Sequence, residues 1–221
     1  MLNRRNFNLS TTTAAVAAAT LPLALTSQAH AQGAPPKAGK DYVVLGKPVA
    51  VDAPAGKIEV IEFFWYGCPH CNAFEPAFER WAKAQPADVA LKRVPVFFRD
   101  DFLPQQKLYY ALEALGKIPE LHVKVFNAIH AERQQINRDG PIADWVAKQG
   151  VDKAKFLEAY NSFSVAAKVK RAAQLQDQYQ VEGVPSLGIA GRYITDGSMA
   201  GSMDRALQVT DLLIAEARKK A

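Results

Sequence analysis

An apolar, strand-forming run, Val60-Ile61-Glu62-Phe63-Phe64-Trp65-Tyr66, leads through Gly67 directly into Cys68-Pro69-His70-Cys71. β-Branched and aromatic residues give the run strand chemistry. Behind it, Phe74, Ala77, Phe78 and Trp81 recur at helical spacing, so a helix is predicted from about Pro69, with a kink at Pro76. A strand therefore hands over to a helix at the chain's only two cysteines. A thiol at that point faces unpaired backbone N–H groups and the positive end of the helix dipole, which stabilise its thiolate. Cys68 is the expected nucleophile, with the more accessible sulfur. Cys71, one turn inside the helix, is the expected resolving thiol. His70 lies between them, where a charged or donating imidazole favours the Cys68 thiolate; the plainer alternative is an exposed helix-start residue without a role.

Two cysteines in 221 residues do not make a disulfide scaffold, and a staple closing so short a loop removes little chain entropy. A zinc site wants four ligands; beyond the leading segment only His70, His122 and His130 accompany the thiols, and they form no matching pair. His122 and His130 read as structural residues of one helix. The expectation is redox chemistry with no metal and no bound cofactor.

The first 31 residues carry Arg4 and Arg5, no acid, an apolar stretch over about 14–25 and then Ala29-His30-Ala31, the parts of a secretory signal cleaved before Gln32. The apolar stretch is short for a membrane span and contains Pro22. Asn3-Arg4-Arg5-Asn6-Phe7 also fits a twin-arginine signal in part, Asn8 standing where an apolar residue is usual; both export routes stay open. Without this segment the formal net charge drops from +5 to +3, and no basic tract or basic–aromatic interleaving points to nucleic acid.

Residues 32–40, rich in Gly, Ala and Pro, read as a flexible lead-in. A short edge strand is predicted over 42–45, a buried strand over 58–64, and a further strand over 89–98 that Pro95 makes irregular or places at an edge. From 104 to 179 the pattern is helical only, with helices at 104–115, 120–133, 142–149, 153–160 and 165–179 separated by Gly and Pro. Strand chemistry returns over 184–194 with Gly191 as a hairpin turn, and an amphipathic helix closes the chain. The order β, β-α-β, helical block, β-β-α is an α/β domain interrupted by an insertion.

Phe63-Phe64-Trp65-Tyr66-Gly67-Cys68-Pro69-His70-Cys71, Pro76 five positions after the second cysteine, the helical insertion and Gly183-Val184-Pro185-Ser186 together resemble a thioredoxin-fold oxidoreductase. The Pro69-His70 dipeptide and the all-helical insert resemble the DsbA family of periplasmic disulfide-introducing enzymes, over about residues 41–219. The resemblance implies a thioredoxin-like domain formed by 41–100 and 181–221, with 101–180 as the inserted helical domain. It implies that Pro185 is a cis-proline beside the disulfide, and that Val184 offers backbone groups to an extended substrate. Glu62 matches a buried acid beneath the cysteines and Lys92 its ionic partner; such an acid relays the proton of Cys71. Glu75 matches a further acid near the site, although most helix glutamates are simply solvated. Trp65-Tyr66-Gly67 departs from the best-known members, which alters the surface beside the disulfide and leaves open which substrates and which reoxidising partner fit.

The resemblance implies a periplasmic oxidase in which a Cys68–Cys71 disulfide passes to reduced, unfolded exported proteins and is restored by a DsbB-like membrane partner. A monomer is expected, since no feature requires a dimer. Two other readings stand beside it: an isomerase or reductase of the same fold, and a chaperone-like module whose disulfide is only structural.

Overall fold

The computed structural model describes residues 35–220, so the expected signal peptide and the first part of the lead-in lie outside the described residues. The sequence folds as a five-stranded mixed sheet with helices on both faces. Its strands are β1 (Val43–Val44), β2 (Ile58–Phe64), β3 (Val89–Pro95), β4 (Ser186–Ile189) and β5 (Tyr193–Asp196), in the order β1-β5-β4-β2-β3. Only β2 and β3 run parallel, joined by the crossover helix α1 (Pro69–Ala84). β4 lies antiparallel to both β2 and β5, and β1 antiparallel to β5.

Between β3 and β4 the chain makes a 3₁₀ turn (Asp100–Phe102) and five helices: α2 (Leu103–Ala114), α3 (Ile118–His130), α4 (Asp139–Lys148), α5 (Lys153–Tyr160) and α6 (Phe163–Gln178). α2 is the hub, touching α3, α4, α5, α6 and β3. The chain ends in a short helix α7 (Gly197–Ala200) and the long α8 (Met203–Arg218). The sequence pattern does not show α7. It forms because the Asp196 carboxylate caps it, accepting from the Ser198 and Met199 N–H groups at 2.8 Å each.

Every residue of β2 is buried, and the two-residue period of the strand decides what each one meets. Ile58 and Val60 pack with Phe74 and Phe78 of α1 and with Leu213 and Ile214 of α8. Ile61 and Phe63 face the core shared with the helical block, where Leu108, Leu121 and Phe126 are buried. Burying one such side chain stabilises the fold by about 1.5–3 kcal/mol.

β3 is an edge strand and stops at Pro95, short of the expected Phe98. The reason is a substitute partner: Phe97 N–H donates to Gln176 Oε1 at 2.7 Å, and Gln176 Nε2 donates to Phe97 O at 3.3 Å. A side-chain amide of α6 thus takes over from the ladder where proline ends it. The β4–β5 hairpin turns at Gly191 with φ of +65°, and a Cβ there would lie 2.2 Å from the Val49 carbonyl oxygen. Both facts require glycine at that turn.

Candidate active site

The strand-to-helix handover is tight. The Cys68 N–H donates to the Trp65 carbonyl at 3.0 Å, closing a turn at the end of β2. Cys68 is itself the N-cap of α1, with extended backbone and a sulfur that accepts the Cys71 N–H at 3.4 Å. Pro69, first in the helix, has no N–H to leave unpaired there. The Cys68 sulfur therefore does the work a serine or aspartate usually does at a helix start.

Both cysteines are free thiols in this structure. Cys68 is 7% exposed and Cys71 fully buried, so the order of accessibility agrees with the spacing argument, although Cys68 is more covered than a helix-start position suggests. Its cover includes the Val184 carbonyl, 3.5 Å from Cys68 Sγ. The Val184–Pro185 peptide bond is cis. Pro185 is buried and Val184 half-buried, while Pro69 and His70 are exposed.

The two thiols are driven apart electrostatically. Hydrogen bonding from the Cys71 thiol, together with the backbone N–H groups of Cys71 and His70 and the His70 charge, outweighs burial and brings the Cys68 pKa down to about 6. Burial pushes Cys71 far up, and the neighbouring Cys68 and Glu62 add to the effect. At neutral pH one sulfur is a thiolate and the other a thiol.

Beneath the thiols lies a buried ionic cluster. Arg93 donates from Nε to Glu62 at 2.9 Å, and from Nη2 to Glu75 at 2.7 Å and to Glu79 at 2.6 Å. This corrects the expectation that Lys92 is the partner of Glu62: Lys92 pairs with Asp52 at 2.5 Å, near the surface. Strand register is the cause. Glu62 sits opposite Arg93 and Ile61 opposite Lys92, so alternation turns Arg93 toward α1 and Lys92 away from it. Glu75, which the family resemblance places near the site although most helix glutamates are simply solvated, is buried in this cluster. Burial pushes the Glu62 carboxyl up to about 8; Arg93 opposes the shift and the Glu75 charge adds to it. Near neutrality Glu62 holds a proton within electrostatic reach of Cys71.

Sequence reasoning did not find two contributors on α3. His122 Nδ1 lies 2.8 Å from the hydroxyl of the buried Tyr66, and its Nε2 lies 3.5 Å from Glu75. His130 Nε2 lies 2.8 Å from the Tyr66 carbonyl. A carbonyl only accepts, so His130 carries its proton on Nε2. Both imidazoles hold Tyr66, two residues before Cys68. Their eight-residue spacing on one helix was visible, but their common target was not. Among the described residues no group of three or more His, Cys, Asp or Glu side chains is placed to hold a metal ion.

A family model described as a DSBA-like thioredoxin domain matches residues 59–208. The chain is 48% identical over 192 residues to the thiol:disulfide interchange protein DsbA of Burkholderia cepacia, covering 87% of this chain and 91% of that one. It is 43% identical to the protein of the same name from Pseudomonas aeruginosa, covering 83% and 87%. Among solved structures it resembles Pseudomonas aeruginosa DsbA, with a TM-score of 0.79, 42% identity and coverage of 83% and 95%. It also resembles an oxidoreductase DsbA from Xylella fastidiosa, with a TM-score of 0.76, 31% identity and coverage of 83% and 98%.

Proposed function

The chain belongs to the DSBA-like thioredoxin-domain family and is a thiol:disulfide oxidoreductase; from that premise we propose that Cys68 is its nucleophile, Cys71 its resolving thiol, and reduced, exported proteins its substrates. The observation that carries the residue assignment is the placement of the two thiols, Cys68 capping the start of α1 and Cys71 fully buried one turn behind it, and their opposed ionisation agrees with it.

The reaction starts from a Cys68–Cys71 disulfide. A substrate thiolate attacks Cys68 Sγ, forming a substrate–Cys68 bond as the Cys68–Cys71 bond breaks. The electron pair leaves on Cys71, which takes up a proton because its environment does not tolerate the thiolate. A second substrate thiolate then attacks the substrate sulfur of the mixed disulfide and expels Cys68. Cys68 departs as a thiolate without needing a proton, and a low-pKa thiol is the faster leaving group. Two electrons pass from the substrate thiols to the enzyme. The same stabilised thiolate favours the reduced enzyme, which makes the oxidised enzyme an oxidant.

Glu62 is the proton donor and acceptor for Cys71, with Arg93 in place of Lys92 as its buried partner and Glu75 sharing that arginine. His70 favours the Cys68 thiolate through its charge, and Pro69 starts the helix that presents the sulfur. Val184, with Pro185 behind it, offers its backbone to the extended substrate segment. We assign 41–100 and 181–221 to the thioredoxin-like domain, 101–180 to the inserted helical domain and 1–31 to an export signal. The protein acts as a monomer in the periplasm, and a DsbB-like membrane protein reoxidises it. No helix among the described residues is long and apolar enough to cross a membrane. Oxidative refolding of a reduced, unfolded protein by the wild type and by Cys68→Ser tests the assignment. The variant is expected to lose catalysis; undiminished activity would leave the disulfide a structural feature of a binding module.

A further inference from the structure

Glu62 and Glu75, both buried, share one arginine, while Glu79, the third acid on it, is partly exposed. Arg93 donates to Glu62 Oε2 at 2.9 Å and to Glu75 Oε1 at 2.7 Å. Each of the two acids keeps its other oxygen, Glu62 Oε1 and Glu75 Oε2, buried without a hydrogen-bond partner. The arginine alone therefore does not decide which of them holds a proton. His122 breaks the symmetry. Its Nε2 lies 3.5 Å from Glu75 Oε1 and has no hydrogen-bond partner, while its Nδ1 lies 2.8 Å from the Tyr66 hydroxyl. Phe64, Tyr66, Tyr109 and Phe126 enclose the imidazole. The charged groups facing it are Glu75 and Glu79 of α1 and Arg93 of β3; burial outweighs the two acids and keeps the ring neutral. Burial also pushes the Tyr66 hydroxyl well above its ordinary range, so it keeps its proton. A neutral imidazole has one N–H and one lone pair. Among the described residues the Tyr66 O–H has no acceptor but Nδ1, so it donates there, and the ring's own proton sits on Nε2, toward Glu75.

We propose that His122 is a positioning residue for proton delivery to Cys71: its Nε2–H holds negative charge on Glu75, so that the proton shared by the two buried acids stays on Glu62. The inference rests on the oxidase reading given above, in which Glu62 serves Cys71. When the disulfide opens, the Glu62 O–H bond breaks and the Cys71 S–H bond forms. Glu62 is left as a carboxylate against Arg93 and regains a proton from solvent. Two carboxyls on one cation do not ionise independently, since charge on one raises the pKa of the other. The Glu75 charge accordingly adds to the rise of Glu62 to about 8. Through His122, a helix of the block between β3 and β4 thus reaches the acid of β2 without touching it.

Side-chain length separates the two contacts of His122. The amide of His122→Asn still meets the Tyr66 hydroxyl but falls short of Glu75, whereas that of His122→Gln reaches Glu75. Carboxyl-carbon NMR in both redox forms reads the Glu62 midpoint. It is expected to fall from about 8 by roughly one pH unit in His122→Asn and to return to the wild-type value in His122→Gln. At about pH 7.5 the protonated fraction of Glu62 then drops roughly threefold, and the single-turnover rate at which a substrate thiol opens the disulfide drops with it. Glu75→Gln, which removes the charge that raises Glu62, is expected to lower the midpoint too, and adding His122→Asn to it to change nothing further. An unchanged midpoint in His122→Asn would overturn the proposal, as would a further fall in the double variant. If His122→Asn does not fold, the other two variants decide: an unmoved midpoint in Glu75→Gln, or a lowered one in His122→Gln, overturns it. Glu62→Gln is assayed alongside. If its disulfide opens as fast as that of the wild type, the reading of Glu62 fails and the proposal with it; if it opens slowly while His122→Asn keeps the Glu62 midpoint, only the role of His122 fails.

Discussion

Replacing Cys71 with alanine removes the largest contribution to the acidity of Cys68. The Cys71 thiol donates to the Cys68 sulfur, while the backbone N–H groups of residues 70 and 71 and the His70 charge make up the rest. A hydrogen bond to a charged group is worth about 1.5–3 kcal/mol. One pKa unit corresponds to about 1.4 kcal/mol, so the Cys68 midpoint is expected to rise from about 6 by roughly one to two units. At pH 7 the thiolate fraction then drops from about 90% to somewhere between roughly 10% and 50%. Thiolate absorbance followed against pH measures this directly. Cys71→Ser is the control: its hydroxyl keeps a donor, and its midpoint is expected to stay near that of the wild type. A midpoint in Cys71→Ala that remains near 6 would refute the reasoning, because the helix start alone would then suffice.

Arg93→Met strands the buried Glu75 without its cation and removes the donor to Glu62, and breaking a buried pair costs about 3–5 kcal/mol. Lys92→Met breaks only the pair with Asp52 near the surface, worth at most about 1 kcal/mol; denaturant midpoints compare the two, and equal losses would contradict the register argument. Glu62 has a folded pKa raised to about 8 from an ordinary value of 4.5, so its share of stability is present below 4.5 and lost as pH rises through 8. Glu62→Gln is expected to flatten the stability–pH curve across that window, and an unchanged slope would place the carboxyl in contact with water. The reduced form carries a Cys68 pKa depressed to about 6, so the thiolate's contribution is lost as pH falls through 6 and is full only above the unfolded value of roughly 8.5. The oxidised form has no thiol to titrate, so the stability of the reduced form relative to the oxidised one is expected to fall as pH drops from about 8.5 to about 6. Unfolding of both forms at several pH values reads that difference.

The parts of this arrangement that depend on local pattern were legible in the sequence. Glycine and proline punctuation located the five helices of the insertion, and the run into Cys68 located the handover. The Val184–Pro185 segment was placed by resemblance to a family, not by its own chemistry. Pairings set by register were hidden: Lys92 and Arg93 are adjacent cations, and only the parallel alignment of β2 with β3 sends one to the buried acid and the other to Asp52. Long-range contacts were hidden for the same reason. Nothing near His122 or His130 in the chain points to Tyr66, more than fifty residues away. The burial of Glu75 was not legible in its own helical position, which looks solvated until α3 packs against α1; only the family resemblance placed it near the site.

The equilibrium of the Cys68–Cys71 pair with glutathione tests the central claim most directly. A thiolate stabilised at the start of α1 predicts that the protein is mostly reduced even when oxidised glutathione predominates, so that its disulfide readily passes to other thiols. A disulfide that persists against an excess of reduced glutathione would make the pair a stable bond or a reductant's couple, and would contradict the account.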